Sequence, residues 1–224
     1  MVIQSASLAA EDIIYPESDG QPMADNTKQF ELIVLIKKNF DLLFANNDNV
    51  FVAGDLFWYP VKGDNNTRRA PDVMVVFGRP KGDRGSYLQW KEENIIPQVV
   101  FEILSPGNTH REMIAKYNFY QRYGVEEYYL YDPETGELTG WLRAENELQE
   151  IAEIIGSVSP RLGVRFEVFN GKLQIFRPDG QQFLTYLELD RLREQERERA
   201  EQAESQLQAL RNLLKSKGIN PDEL

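Results

Sequence analysis

The sequence contains no cysteine. That absence excludes disulfides, thiolate zinc sites and cysteine nucleophiles together. Histidine occurs once, as His110, and no serine stands in a nucleophile-elbow setting around it, so the Ser-His-Asp arrangement is not supported. His110 reads as a surface residue in the first turn of a helix. No Gly-rich phosphate loop follows any strand-like run. No stretch approaches the roughly 18 consecutive apolar residues of a membrane helix. Met1 to Tyr15 has no basic segment leading into an apolar run, so no signal peptide is expected. The expectation is a soluble, cytoplasmic protein.

A surplus of basic charge is missing too: 25 Lys and Arg face 36 Asp and Glu, for a formal net charge of −11. Phosphate neutralisation supplies most non-specific affinity for nucleic acid, so the total argues against such a partner. Distribution matters more than the sum. Lys62, Arg68, Arg69, Arg79, Lys81, Arg84 and Lys91 cluster in one segment where acids do not outnumber them, and much of the acidic excess lies elsewhere, including the carboxy-terminal part.

What is present suffices for one sizeable core: 224 residues, 42% hydrophobic and 27% charged. Residues 1–25 are polar, with Pro16, Gly20 and Pro22, and read as an arm. From Asn26 to Ala45, Phe30, Ile33, Val34, Ile36, Phe40, Leu43 and Phe44 recur at helical spacing, with Asp25 or Asn26 as the cap. Val50 to Tyr59 reads as a strand and Val73 to Phe77 as another, followed over Gly78 to Asn94 by a loop with room for a helical turn. Gln98 to Leu104 is almost continuously apolar, the pattern of a strand buried on both faces. Thr109 and Glu112 have capping-box spacing and open a helix to about Tyr123, ended by Gly124. Glu127 to Tyr131 is the next strand, and Glu137 to Arg143 pairs with Leu148 to Ile155. This order predicts an α/β fold with a mixed sheet over residues 26–182.

Residues 183–224 form a charged helical tail. Ala200, Ala203, Leu207, Leu210 and Leu214 alternate steps of three and four, which fits either a coiled-coil seam or one amphipathic helix docked on the body.

Chemistry centres on Glu102. Alternation places Val100, Glu102 and Leu104 on one face of their strand, opposite Val99, Phe101 and Ile103. An isolated carboxylate there costs several kcal/mol unless a cation, a metal ion or a raised pKa compensates. An exposed strand edge or a structural ion pair would serve as well. Asp72, which opens a strand after Pro71, offers a second acid. The two together would make an oxygen-only site suited to Mg²⁺ or Mn²⁺. Lys116 borders the apolar stripe of Met113, Tyr117 and Tyr120, where its ammonium could position a water or stabilise transition-state charge. A surface pair with Glu112, four residues earlier, explains it equally well. The aromatics Tyr117, Phe119, Tyr120, Tyr123, Tyr128, Tyr129 and Tyr131 read mostly as core.

Ala70-Pro71-Asp72-Val73, Val100-Phe101-Glu102-Ile103-Leu104-Ser105-Pro106, Lys116-Tyr117 and Gly124-Val125-Glu126-Glu127-Tyr128-Tyr129-Leu130-Tyr131-Asp132-Pro133 resemble blocks of the Uma-two family. The likeness spans approximately Thr27 to Phe169. That family falls in the PD-(D/E)XK superfamily of restriction-endonuclease-like nucleases. The resemblance implies a mixed β-sheet flanked by helices, Asp72 and Glu102 as ligands of Mg²⁺ or Mn²⁺, and hydrolysis of DNA phosphodiester bonds. It also implies that Lys116 stands in for the lysine the superfamily places two residues after the glutamate, where this chain has Leu104. Glu31 is similar to an acidic residue that often joins such sites, though a solvated helix position explains it too. Arg68 and Arg69 would contact the DNA backbone or remain solvated loop residues. Such nucleases often act as homodimers, and the tail offers a seam. The missing lysine at 104 and the acidic charge support the alternative, a non-catalytic scaffold that keeps the fold and oligomerises through its tail.

Overall fold

The computed structural model describes residues 13–18, 20 and 24–217. Most of the arm expected over residues 1–25, and the helix stop at Gly218 to Pro221, lie outside the described residues. The described chain divides into two units, one ending at Phe183 and the other beginning at Leu184.

The first unit opens with α1 (Thr27–Leu43), whose Asn26 cap accepts the Gln29 N–H at 2.9 Å. Ile33, Ile36 and Phe40 form its buried stripe. Then come β1 (Val50–Gly54), β2 (Trp58–Tyr59), β3 (Val73–Phe77), β4 (Tyr87–Leu88) and β5 (Val99–Ile103). The helix α2 (His110–Arg122) follows, then β6 (Glu127–Asp132), β7 (Glu137–Ala144), β8 (Glu147–Glu150), β9 (Arg165–Phe169) and β10 (Lys172–Phe176). The main sheet has the order β1-β3-β5-β6-β7-β8. Only β5 and β6 run parallel, joined through α2; the other neighbours are antiparallel. The expected mixed α/β architecture is therefore what the chain adopts. No helix among the described residues is long and apolar enough to cross a membrane.

All five residues of β5 are buried, because the sheet is covered on both faces. Val99, Phe101 and Ile103 face a core with Ile33, Ile36, Phe40, Phe166 and Phe183. Val100 faces the other core, with Phe119, Tyr120, Tyr128, Trp58 and Met74. The Phe101 ring lies 4.7 Å from Tyr129, 5.5 Å from Phe40 and 6.2 Å from Phe166, centroid to centroid. Truncating it opens a void that a four-ring cluster cannot collapse into. Phe101→Ala is expected to lower unfolding stability by about 3–5 kcal/mol, read by urea denaturation; a loss under about 1 kcal/mol would contradict this packing.

The strand expected over Val50 to Tyr59 is broken in two. At Asp55 the backbone enters the left-handed region (φ +48°), and its N–H leaves the ladder to reach the Pro71 and Asp72 carbonyls at 3.1 and 3.3 Å. Asp tolerates this conformation better than a β-branched residue does. The Thr109–Glu112 capping box is present, and Gly124 takes φ +90° just after the Tyr123 C-cap. The β9–β10 hairpin has no counterpart in the sequence reading. Past β8 the chain leaves the sheet, so the strand expected to continue to Ile155 ends at Glu150.

The second unit is α3 (Tyr186–Ser216), 31 residues long and capped by a Thr185–Glu188 box. Its exposed faces carry ion pairs three residues apart, Asp190–Arg193, Glu194–Arg197 and Glu196–Arg199.

Candidate active site

Sheet register assembles the acids. Gly54 pairs with Val73, and Val73 pairs with Phe101. One step further along these antiparallel ladders, Asp55, Asp72 and Glu102 fall in one row across β1, β3 and β5. The row sits where β1 ends at the Asp55 kink. Asp72 is 7% exposed and Glu102 is 1% exposed.

Each carboxylate is held by donors from a different element. Asp72 Oδ2 accepts the Ile103 N–H at 2.6 Å. Glu102 Oε2 accepts from Lys116 Nζ at 2.6 Å, and Glu102 Oε1 accepts from the Tyr120 hydroxyl. Lys116 and Tyr120 are four residues apart on α2, so both project from the face that packs on β5. The surface alternative for Lys116 does not form: the Glu112 carboxylate instead closes the capping box on Thr109. Gln29 on α1 donates its amide to the Ile103 carbonyl at 2.8 Å, which ties the first helix to the same strand end.

With both acids ionised the charges would not balance, and the structure resists that state. Burial, with the Glu102 charge second and only partly offset by Lys116, pushes the Asp72 carboxyl up to about 8. Burial works against the Lys116 ammonium, but the Glu102 and Asp72 carboxylates together hold its pKa above the usual lysine value. The buried centre thus has two carboxylates and one ammonium. Tyr128, 1% exposed, has a hydroxyl with no hydrogen-bond partner, and after burial the Glu102 and Asp72 charges raise its pKa.

This donor set fits a hard divalent ion. Among the described residues no three His, Cys, Asp or Glu side chains are grouped to hold a metal. Mg²⁺ does not need three, since it keeps several waters and is bound through one or two carboxylates plus substrate phosphate oxygens. Asp72 and Glu102 would hold it, the ion taking the place of the proton that burial keeps on the Asp72 carboxyl up to about pH 8.

A cleft of about 510 Å³ opens onto Asp72 and Lys116. Asp25, Gln29, Asp55, Arg68, Arg69 and Glu112 also line it. Arg68 and Arg69 therefore stand at the cleft, where Arg68 donates to the Asn65 carbonyl at 2.6 Å and stacks over Phe57. Glu31 does not: it is exposed on α1 and outside the cleft, while Gln29 occupies the position on that helix that reaches the strand end. His110 is exposed, as read. Asp55, Gln29 and Tyr120 join the site without any sequence signal that singles them out. The row of acids could have been found by extending the β1–β3 register past Gly54, but nothing local marks Gln29 or Tyr120.

Glu127 is a third buried carboxylate, on the opposite face of the sheet from Glu102. It accepts from the Tyr129 and Ser159 hydroxyls and from the Arg161 N–H at 2.6 Å. These donors pin the 159–162 turn to β6, so its burial has a structural explanation without a ligand.

The model of the Uma2 family, described as "putative restriction endonuclease", matches residues 10–159. Among solved structures, the crystal structure of a "putative nuclease belonging to DUF820" from Anabaena variabilis is similar at 15% identity, covering 60% of this chain and 72% of that one, with a TM-score of 0.45. A search of curated proteins found no match.

Proposed function

The chain belongs to the Uma2 family, and from that premise we propose that it is a metal-dependent endonuclease hydrolysing DNA phosphodiester bonds. The observation that carries this reading is the buried Asp72–Glu102–Lys116 centre at the floor of an open cleft. A bound Mg²⁺ or Mn²⁺ supplies a water of lowered pKa and neutralises charge on the scissile phosphate.

The chain's own residues do the rest. The Ile103 N–H fixes one Asp72 oxygen, and Tyr120 fixes one Glu102 oxygen, so both carboxylates keep their orientation as charge builds nearby. Lys116, held as an ammonium by these carboxylates, presents donors toward the cleft and stabilises negative charge on the pentacoordinate phosphorus. Arg68 and Arg69 at the cleft wall hold the phosphate backbone against the repulsion of the surrounding acids. Pairing of two copies through the α3 seam is the accompanying proposal for quaternary structure.

Incubation of the full chain with plasmid and single-stranded DNA, with Mg²⁺, Mn²⁺ or EDTA, tests the reading. Metal-dependent cutting and a metal-dependent rise in melting temperature are expected. Absence of both would favour the non-catalytic scaffold; a metal shift with no cleavage of DNA, but cleavage of RNA, would keep the chemistry and change the substrate.

A further inference from the structure

A second cleft, of about 320 Å³, adjoins the first and shares Asn66 and Arg69 with it. One wall is the 66–69 segment between β2 and β3. The other is a single face of α2: Ala115, Asn118, Phe119 and Arg122 recur at steps of three and four. Glu112 and Lys116, lining the first cleft, each precede by one turn a residue of that face, Ala115 and Phe119. The two clefts therefore form one groove along α2, with the carboxylate centre toward its beginning.

The charge changes sign along this groove. The first cleft has Asp25, Asp55, Asp72 and Glu112 against Arg68, Arg69 and Lys116. The second has Arg69 and Arg122 and no acid. In a chain of net charge −11, most half-buried arginines elsewhere pair with an acid, Arg79 and Arg84 with Glu92, Arg165 with Glu167 and Arg177 with Asp179. Arg69, half-buried, and Arg122, exposed, make no ion pair among the described residues; Arg69 lies over Phe119 at 5.4 Å and donates to the Arg68 carbonyl, and Arg122 lies over Tyr123 at 5.5 Å. Two unpaired guanidinium groups and two amides, Asn66 and Asn118, around a cleft of this size match a phosphodiester oxygen cluster.

The geometry points to a second phosphate subsite. The strand whose scissile phosphate sits over Asp72 and Glu102 runs along α2, and its neighbouring phosphate is held by Arg69 and Arg122. This rests on the nuclease reading and extends it: Arg69 bridges the two phosphates, and Arg122 senses only the flanking one. Arg122 also sits in the last turn of α2, where its charge complements the helix dipole. That role would show in stability and not in the salt dependence of binding.

The test uses the full chain and fluorescein-labelled duplex DNA, with affinity measured across a salt series and cleavage followed in Mg²⁺. Arg122→Gln and Arg122→Lys are compared with Arg111→Gln, an exposed α2 position lining neither cleft. Arg122→Gln should reduce the slope of log K against log salt by about 0.9, the value of one phosphate contact. It should raise KM and leave kcat within about twofold, with Arg122→Lys recovering the slope but only part of the affinity. Arg111→Gln should change neither. If the wild type cleaves DNA and Arg122→Gln matches Arg111→Gln, the subsite is wrong and the nuclease reading stands. Should Arg122→Gln lower only the melting temperature, the dipole role is its whole role. A wild type that neither binds nor cuts DNA removes both.

Discussion

Asp72→Asn is expected to abolish metal-dependent cleavage, a fall of at least about 10³-fold in kcat, while making the metal-free protein more stable than wild type near neutral pH. Both effects have one cause. The Asp72 carboxyl is raised from its ordinary value of 3.8 to about 8 by burial and by the Glu102 charge. Between those values the folded state keeps a proton that the unfolded chain has released. The contribution of this group to stability is therefore full below about pH 4, is lost as pH rises toward 8, and is level above that. Asparagine has no such slope, and its carbonyl can still accept the Ile103 N–H. Urea denaturation in EDTA at pH 4.5, 6, 7 and 8 should show the variant gaining on wild type with each step. In saturating Mg²⁺ the order should reverse, because only wild type gains binding energy from the ion. A variant that tracks wild type at every pH would mean that Asp72 is not held against its charge, and the ion site would lose its main support.

Lys116→Met separates catalysis from ion binding. Methionine keeps most of the volume of the stem and removes the ammonium that donates to Glu102 at 2.6 Å. Loss of one well-placed charged donor predicts a fall of roughly 10²–10³-fold in kcat. The metal-induced rise in melting temperature should persist and grow, since the ion then meets two buried carboxylates with no competing cation. Without metal the variant should lose stability, toward the lower end of the roughly 3–5 kcal/mol typical of a broken buried pair, because the Lys116 side chain retains 22% exposure. Single-turnover cleavage beside thermal melts in EDTA and Mg²⁺ measures all three quantities. A loss of stability with kcat within threefold of wild type would reduce Lys116 to the counter-ion of Glu102.

Part of this centre was visible in the chain itself. A glutamate inside Val99-Val100-Phe101-Glu102-Ile103 can reach water only if the strand lies at an edge, and a nearly unbroken apolar run argues that it does not. The same reasoning passes over Glu127, as deeply buried at 2% exposure, because it opens its strand and its donors come from Tyr129, Ser159 and Arg161. Local pattern shows that a charge is buried. It does not show which partner compensates it.

The sequence by itself determined the elements with strong local signals: the buried strand around Glu102, the Thr109–Glu112 box that starts α2 and the Gly124 stop. Those follow from side-chain periodicity and backbone chemistry within a few residues. Tertiary structure alone decided that Lys116 turns inward to Glu102 instead of outward to Glu112, that Tyr120 and Gln29 brace the same strand, and that Asp55 falls in the row of Asp72 and Glu102. Glu31 was left on the solvent side of α1 by the same packing. The physical reason is that a charged side chain takes the partner that best offsets its desolvation. On α2 the choice lies between an exposed acid one turn away, screened by water, and a buried one that only the folding of β5 beneath the helix brings within reach.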